Sequence, residues 1–394
     1  MSYLTLKKTI IEKNGSGFVQ FNLVDTPAIP ESSLQPDQIV IKILSAPINP
    51  SDIGPLFSPS HGGIGKFDGA EVSVDSNGRP ITMLPIPGSY SSSLVGRAIR
   101  VGNEGAGRVI AAGKSHFAQS LKGKLVAYVG GGSYAQCVVV KAGSVLVHHD
   151  STTPEEAASS FVNPFTALGM VKTMHAEKHT GIVHTAAASQ LGQMLVKICL
   201  KDNIPLVNIV RSEHSVVLLK SIGAKHVLNT SAKTFQQDLL HALKESNATI
   251  AFDALGGGDL GFKILKGMEK AASSKGGPRN NYGSSTFKKL YIYGGLNAGQ
   301  PLLLRPHAGM GGFSWGVQGF LMGVGAATIT ESDKKRVAQN IKTTFATKYA
   351  HMLTLESMLN PKRMKEYQTQ KSNSKALVCP FGVTEALISP ASRL

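Results

Sequence analysis

Cysteine is scarce: three in 394 residues. Cys137, Cys199 and Cys379 lie far apart with no C-x-x-C spacing, which excludes a disulfide framework and a cysteine-rich zinc site and fits a reducing compartment. Aromatic residues make up only 6% of the chain. Acids are also short, 25 against 41 Lys plus Arg, for a formal net charge of +16. That balance suits attraction of anionic small molecules. Nucleic-acid binding is the other reading, but the lysines are dispersed and no basic run is interleaved with aromatics. The longest uncharged stretch, Pro306–Thr330, is too broken by glycine to read as a membrane span. The opening MSYLTLKKTIIEKNG places charges where a signal peptide needs an apolar core, so a soluble, cytoplasmic protein is expected. The twelve histidines show no H-E-x-x-H or other ligand spacing, so no metal is expected. No G-x-S-x-G elbow is present, which leaves acyl-serine hydrolysis without support.

What is present is a long chain, enough for two domains with ample core. Up to about Asp150 the pattern is short strands divided by Gly, Pro and Ser, which predicts an antiparallel barrel or sandwich. Gln38–Ala46, Gly105–Ala111, Lys124–Val129 and Tyr134–Val140 are its clearest strands. Ser58–Ser93 interrupts them and reads as an exposed insertion or lid. After the helix start TPEEAA at Thr153–Ala158, strands alternate with helices: Ser212 caps a helix ending at Gly223, and strands follow at His226–Leu228, Thr249–Phe252 and Leu290–Tyr293. That alternation predicts a doubly wound parallel sheet. Ala271–Ser285 reads as a polar loop, Asp333–Ala350 as an amphipathic helix, and Lys375–Pro380 as a last strand that rejoins the first domain.

The chain is organised around Gly181–Ser212, GIVHTAAASQLGQMLVKICLKDNIPLVNIVRS. Ile182–Thr185 has the length of a strand, and Ala186–Gly192 is all small or amide residues apart from Leu191. Leu191, Met194, Leu195, Ile198 and Cys199 form one helix face. Leu206–Val210 is a second strand. In this βαβ unit the helix N-terminus is suited to a pyrophosphate. The full G-x-G-x-x-G fingerprint is missing and only Gly192 remains, so an ordinary crossover helix stays open as a reading. About twenty residues after Gly192 stands the position that reads the adenine ribose. It holds Arg211 and Ser212, a cation and a hydroxyl suited to a 2′-phosphate, with Glu213 next to them as the alternative for ribose hydroxyls.

In a doubly wound sheet the carboxyl ends of the strands border the ligand crevice. Four places qualify: Asn163–Ala167, Ala186–Gly192, Asp253–Gly258 and Tyr293–Leu296. Asn163 and Thr166 suit a cofactor carboxamide or phosphate, or else merely begin a helix. Asn49-Pro50-Ser51-Asp52 reads as turn structure or as a ligand contact, and Gly102-Asn103-Glu104-Gly105 poses the same choice.

Taken in order, INPSD (Ile48–Asp52), GNEGAG (Gly102–Gly107), GGSYAQ (Gly131–Gln136), VNPFTA (Val162–Ala167), AAASQLGQ (Ala186–Gln193), NIVRS (Asn208–Ser212), SIGAKHV (Ser221–Val227), FDALGG (Phe252–Gly257) and IYGG (Ile292–Gly295) resemble the medium-chain dehydrogenase/reductase superfamily. The resemblance implies a Rossmann domain inserted into a GroES-like β-barrel catalytic domain, and a homodimer. Zinc-binding members carry cysteine near Asn49, histidine at Asn103 and a four-cysteine lobe, all missing here. Among zinc-free members the motifs are most similar to NADPH-dependent 2-enoyl thioester reductases, and next to quinone oxidoreductases. The enoyl reductases place a proton-donating tyrosine shortly after NPSD. Here that stretch is Gly54-Pro55-Leu56-Phe57, and Tyr90 is the candidate replacement.

The resulting expectation is an NADPH-dependent reductase acting on an activated alkene or carbonyl (an enoyl thioester or enone), with quinone reduction as the alternative. A dinucleotide-binding regulatory or RNA-binding protein without turnover is the alternative of another class. The expected division is 1–160 (catalytic), 161–310 (nucleotide-binding) and 311–394 (returning to the catalytic domain). The expected cofactor residues are Asn163, Thr166, Ala187, Ala188, Ser189, Gln190, Leu191, Gly192, Arg211, Ser212, Ala254, Tyr293 and Gly294. Asn49 and Tyr90 are expected to polarise the substrate.

Overall fold

The computed structural model describes residues 2–57, 67–274, 283–297, 299–302, 315–320, 329–369 and 375–382. The chain divides into two compact units, Met1–Val162 with Lys334–Leu394, and Asn163–Asp333.

The first unit opens with a long hairpin, β1 (Ser2–Lys13) and β2 (Ser16–Pro27), in register from Ser2↔Pro27 to Lys13↔Ser16. Its turn is Asn14-Gly15, both at positive φ, the dipeptide that supplies the backbone twist a two-residue hairpin needs. Next come β3 (Gln38–Pro47) and the short helix α1 (Pro50–Phe57), then β4 (Glu71–Val74) and β5 (Pro80–Pro85). β6 (Ile99–Arg100), β7 (Glu104–Ala112), α2 (His116–Ser120), β8 (Leu125–Val129), β9 (Cys137–Lys141) and β10 (Leu146–Val147) follow. Helix α3 (Pro154–Ala158) ends this part, started by a full capping box between Thr153 and Glu156.

β4 and β5 correct the reading of Ser58–Ser93 as an insertion. They form a hairpin that extends the first sheet through β5–β2 pairing, in the order β4-β5-β2-β1-β6. Positions 58–66 of that stretch lie outside the described residues. Alternation in Pro80–Pro85 buries Thr82 and Leu84, so the segment is anchored by its own side chains rather than lying over the surface.

The second unit begins within α4 (Val162–Ala176), which is apolar nearly all round and correspondingly buried. β11 (Ile182–His184), α5 (Gln190–Lys201), β12 (Leu206–Val210), α6 (Glu213–Ser221), β13 (His226–Asn229), α7 (Phe235–Ser246), β14 (Ile250–Asp253), α8 (Leu260–Ser273), β15 (Lys288–Ile292) and β16 (Trp315–Gly319) follow. The six strands are parallel, in the order β13-β12-β11-β14-β15-β16. This is the doubly wound dinucleotide-fold order, and the chain reverses direction across the sheet between β11 and β14. Val207, Ile209 and Ala251 pack against Leu239, Leu243, Ile264 and Leu265 of α7 and α8 to form the core on one face. α8 runs to Ser273, so the polar loop starts later than Ala271; positions 275–282 of it lie outside the described residues.

Past α9 (Glu331–Gln339) the helix expected to reach Ala350 has already stopped. Asn340 turns its side chain back to the Arg336 carbonyl, and such local bonds compete with helix continuation. β17 (His351–Leu353), α10 (Pro361–Gln368) and β18 (Ala376–Val378) complete the chain. β18 pairs antiparallel with β3, extending the sheet β10-β8-β7-β3-β18-β17. Of Pro306–Thr330, positions 315–320 and 329–330 are described. Among the described residues no helix is long and apolar enough to cross a membrane.

Candidate functional site

The switch point in the second unit is built from side chains at the ends of β11 and β14. Thr185, fully buried, donates from Oγ1 to Asp253 Oδ1 at 2.6 Å and accepts from the Ala254 amide at 2.9 Å. Asp253 also accepts from the amides of Leu255 (3.0 Å) and Gly256 (3.2 Å). The two strand ends are thereby tied side by side. Ala254 and Gly294, both expected at the site, meet there: a Cβ on Gly294 would come within 2.5 Å of the Ala254 carbonyl oxygen.

After Thr185 the chain turns through Ala186 at φ +50°, a left-handed conformation that an alanine adopts only at a cost of about 1 kcal/mol. The turn is closed by Ser189 N–H to the Ala186 carbonyl and by Gln193 Nε2 to the Ala188 carbonyl. Ser189 caps α5, its Oγ accepting from Gly192 N–H at 3.1 Å. The amides of Gln190 and Leu191 occupy the first two helical positions, where helix geometry offers no acceptor. Gly192 contributes through size: a Cβ there would lie 2.1 Å from the Ala187 carbonyl oxygen. Its amide is already taken by Ser189 Oγ and that of Gln193 by the Ser189 carbonyl, so the open donors are those of Gln190 and Leu191.

Arg211 directly follows β12 and is exposed. Its carbonyl accepts from Ser231 Oγ at 2.9 Å, and its guanidinium has no hydrogen-bond partner among the described residues. Ser212 is the N-cap of α6, accepting from Ser215 N–H at 3.3 Å. The helix start therefore stands beside the arginine, and the serine hydroxyl is engaged in capping. Asn163 and Thr166 lie in the first turns of α4, both buried.

Tyr293 directly follows β15. Its hydroxyl bonds His184 Nε2 at 2.7 Å and the two rings stack, centroids 5.7 Å apart. His184 is fully buried, and burial pushes its pKa down to about 3, so the ring is neutral. Nothing in the run IVHT marked this histidine beforehand. The strand periodicity that buries it was visible, but its partner 109 residues away was not.

The first unit holds a second polar cluster. The Asn49 amide donates to Asp52 Oδ2 at 2.7 Å, and Asp52 Oδ1 accepts from Asn103 N–H at 2.9 Å. Asn49 Nδ2 donates to Glu104 Oε1 at 2.8 Å, while Glu104 Oε2 accepts from the amides of Phe161 (2.9 Å) and Val162 (3.0 Å). Asn49, Asp52 and Glu104 are all essentially buried. Lys375, just before β18, donates to Ser159 Oγ at 2.9 Å, and that oxygen also bonds the Tyr349 hydroxyl. Burial raises Asp52 to about 7 and raises Glu104, while it lowers Lys375 to about 8 against the pull of Glu104 and Asp52. Sequence reading did not find Lys375 or Ser159.

The carboxylate fixes the Asn49 amide with nitrogen toward Glu104. Oδ1 is then a buried acceptor with no partner among the described residues. Oδ1 is placed to receive an O–H or N–H, and Nδ2 keeps a second N–H besides the one given to Glu104. Tyr90 is outside this cluster. Its ring lies over Gly17 and its hydroxyl donates to Glu12 at 2.8 Å. Among the described residues no group of three or more His, Cys, Asp or Glu side chains is arranged to hold a metal ion.

A doubly wound nucleotide-type unit inserted between the two parts of a β-rich unit defines the class: the chain has the fold of the medium-chain dehydrogenases/reductases. No family model matches the chain. It is similar to the mitochondrial enoyl-[acyl-carrier-protein] reductase of Arabidopsis thaliana, 26% identical over 294 residues, covering 73% of this chain and 67% of that enzyme. Among solved structures it is similar to a protein assigned as an NADPH:quinone reductase from Mesorhizobium loti (TM-score 0.66, 23% identity, 96% of this chain and 98% of that one). It is likewise similar to Etr1p, a 2-enoyl thioester reductase of Candida tropicalis solved with NADP and crotonyl-CoA (TM-score 0.64, 18% identity, 96% and 100%).

Proposed function

We propose that this protein is a zinc-independent, NADPH-dependent reductase that acts on a small electrophile carrying an activated alkene or carbonyl, a 2-enoyl thioester or enone. The observation that carries the reading is the crevice of the second unit. There a helix start with open amides at Gln190 and Leu191 adjoins the switch point, and an exposed Arg211 follows the next strand. These residues fit a dinucleotide with an additional phosphate. Ala187, Ala188 and Ser189, with the two open amides, hold the pyrophosphate, and Arg211 at the start of α6 holds the 2′-phosphate. Asn163 and Thr166 contact the nicotinamide end. When bound, NADPH supplies a hydride. Asn49 Oδ1, fixed by Glu104, receives a hydroxyl or amide proton of substrate or cofactor and orients it. The titrating groups near it, Asp52 and Lys375, hold protons in the neutral range.

Quinone reduction is the second reading, favoured by the missing tyrosine in Gly54–Phe57 and by the likeness to the Mesorhizobium loti protein. Two buried free thiols, Cys199 and Cys379, agree with a reducing compartment such as the cytoplasm, and a homodimer is the assembly proposed.

The test is NADPH titration by fluorescence, with turnover measured on crotonyl-CoA, a short enone and a quinone. Oxidation of NADPH by none of the three refutes the enzyme. Arg211→Ala weakens NADPH relative to NADH by ~1–3 kcal/mol, the range for a lost charged hydrogen bond. Equal losses for the two cofactors refute the assignment of Arg211.

A further inference from the structure

Besides the nucleotide crevice, the second unit contains a cavity of about 290 Å³, at the small end of the range for ligand sites. It lies where β12 and β13 begin, at Leu206 and His226, rather than where they finish beside Arg211. Its walls follow from local pattern. Val207 and Ile209 pack against α7 and α8, so alternation turns Leu206 and Asn208 to the other face of the sheet. There Val196, Cys199 and Leu200, at i, i+3 and i+4, form one stripe of α5. All three line the cavity with Leu206 and Asn208. Leu200 is 48% exposed and stands at the rim over Gly223, where a Cβ would lie 3.1 Å from its Cδ1.

The inner end is set by Asn208, which is 1% exposed. Its Nδ2 donates to the His226 carbonyl at 3.2 Å, and that bond fixes which side of the amide carries the oxygen. Oδ1 is then a buried acceptor with no partner among the described residues, a state that buried polar atoms rarely keep. At the mouth the charges answer one another. The Glu245 carboxylate lies 3.5 Å from Lys225 Nζ, 3.5 Å from His226 Nε2 and 3.1 Å from His241 Nε2. Aliphatic walls, an orphan acceptor at the inner end and a mouth whose cation and carboxylate are paired fit a neutral ligand better than an ion. We propose that this cavity binds a small neutral molecule with a compact apolar body and one hydroxyl, of the phenol class. Its O–H donates to Asn208 Oδ1, and its ring lies between the α5 stripe and Leu206. The hydrogen bond satisfies the buried oxygen, and the ring displaces water from Val196, Leu200 and Leu206. The nucleotide crevice uses none of these side chains, so the inference stands apart from the reductase reading.

The test is calorimetry on the full-length protein with p-cresol and with p-methylanisole, which has the same ring but a methyl in place of the hydroxyl hydrogen. Each is titrated with and without saturating NADPH. One molar equivalent of p-cresol is expected to bind, about tenfold tighter than the ether, the scale of one hydrogen bond to a buried acceptor, and unaffected by NADPH. Asn208→Leu keeps the volume and removes the acceptor, so it is expected to bind the two probes equally. Because Asn208 is buried, Leu200→Ala at the exposed rim gives a second reading that keeps helix propensity. It is expected to weaken both probes about threefold to tenfold through lost apolar contact. The proposal is overturned by no binding of p-cresol, or by equal affinity for the two probes in wild type, which would leave Asn208 Oδ1 to water. It is equally overturned by a preference for p-cresol that survives Asn208→Leu, by an unaltered affinity in Leu200→Ala, or by displacement with NADPH, which would assign the phenol to the nucleotide crevice.

Discussion

Replacing His184 with glutamine tests the reading of the strand end most directly. His184 is fully buried beneath the Tyr293 ring, and its pKa falls from 6.5 to about 3 on folding. The unfolded chain therefore binds a proton below pH 6.5 that the folded chain refuses. Since the unfolded state carries more protons in that window, stability rises with pH between about 3 and 6.5 and is lost as the solution is acidified. The loss attributable to this one ring is ~1.4 kcal/mol at pH 5.5 and ~2.7 kcal/mol at pH 4.5, reaching ~4–5 kcal/mol near pH 3. Glutamine keeps a polar partner for the Tyr293 hydroxyl but does not titrate. Urea unfolding of wild type and His184→Gln at pH 7.5, 6.5, 5.5 and 4.5 reads the difference. Other groups, including His148 with its pKa lowered to about 4 by burial, cancel between the two proteins. The variant is expected to start less stable at pH 7.5, because a buried pair has been disturbed, and to lose stability more slowly on acidification. Two curves that stay parallel from pH 7.5 to 4.5 refute the buried neutral histidine.

Gly192→Ala places a methyl 2.1 Å from the Ala187 carbonyl oxygen. The α5 helix must then retreat from the turn, and the variant is expected to lose ~1–3 kcal/mol of stability, as overpacking does, together with NADPH binding. Thermal melts and cofactor titration measure both, and an unchanged melting temperature contradicts the close approach. Glu104→Gln removes an acceptor for Asn49 and a carboxylate that holds Lys375 up. The Lys375 pKa is then expected to fall further below about 8, moving the alkaline limb of the kcat/KM profile to lower pH. An unmoved limb separates Lys375 from the reaction. Thr185→Val deletes the hydroxyl bonding both Asp253 and the Ala254 amide and is expected to cost ~1–3 kcal/mol in urea unfolding, whereas a neutral change leaves the tie between β11 and β14 without energetic weight.

The second unit was legible because its order is written in local patterns. Runs such as Leu206–Val210 and Ile250–Asp253 are buried strands between helices with one apolar face, and the residues closing each strand are small or polar. Ser212 acts as the cap that its position predicts. The first unit was less legible for a physical reason. Its strands pair across long separations, so β5 on β2 has no local signature, and the proline- and glycine-rich stretch that holds β4 and β5 reads as an insertion; the return of β18 to β3 follows the strand that Lys375–Pro380 predicts. One signal was overlooked: Asn14-Gly15 between two alternating segments marks the β1–β2 hairpin in the sequence itself.

Asn49 shows where local reading stops. As a four-residue motif, Asn49–Asp52 fits both a turn and a ligand contact, and each reading uses a different part of the same residue. The turn uses the backbone, with the Asn49 amide on Asp52. The side chain is decided by Glu104, 55 residues later, and Glu104 is itself held by amides at Phe161 and Val162. Only with that carboxylate in place is the amide oriented, and orientation decides on which side the residue gives and on which it receives a hydrogen bond. A motif can name an asparagine as polar and buried, but it cannot assign the direction of its chemistry. That direction belongs to a chain of contacts from β7 to the start of α4. A group meeting Asn49 at Oδ1 must therefore bring the proton, whereas a carbonyl oxygen suits the second N–H of Nδ2, the one not given to Glu104.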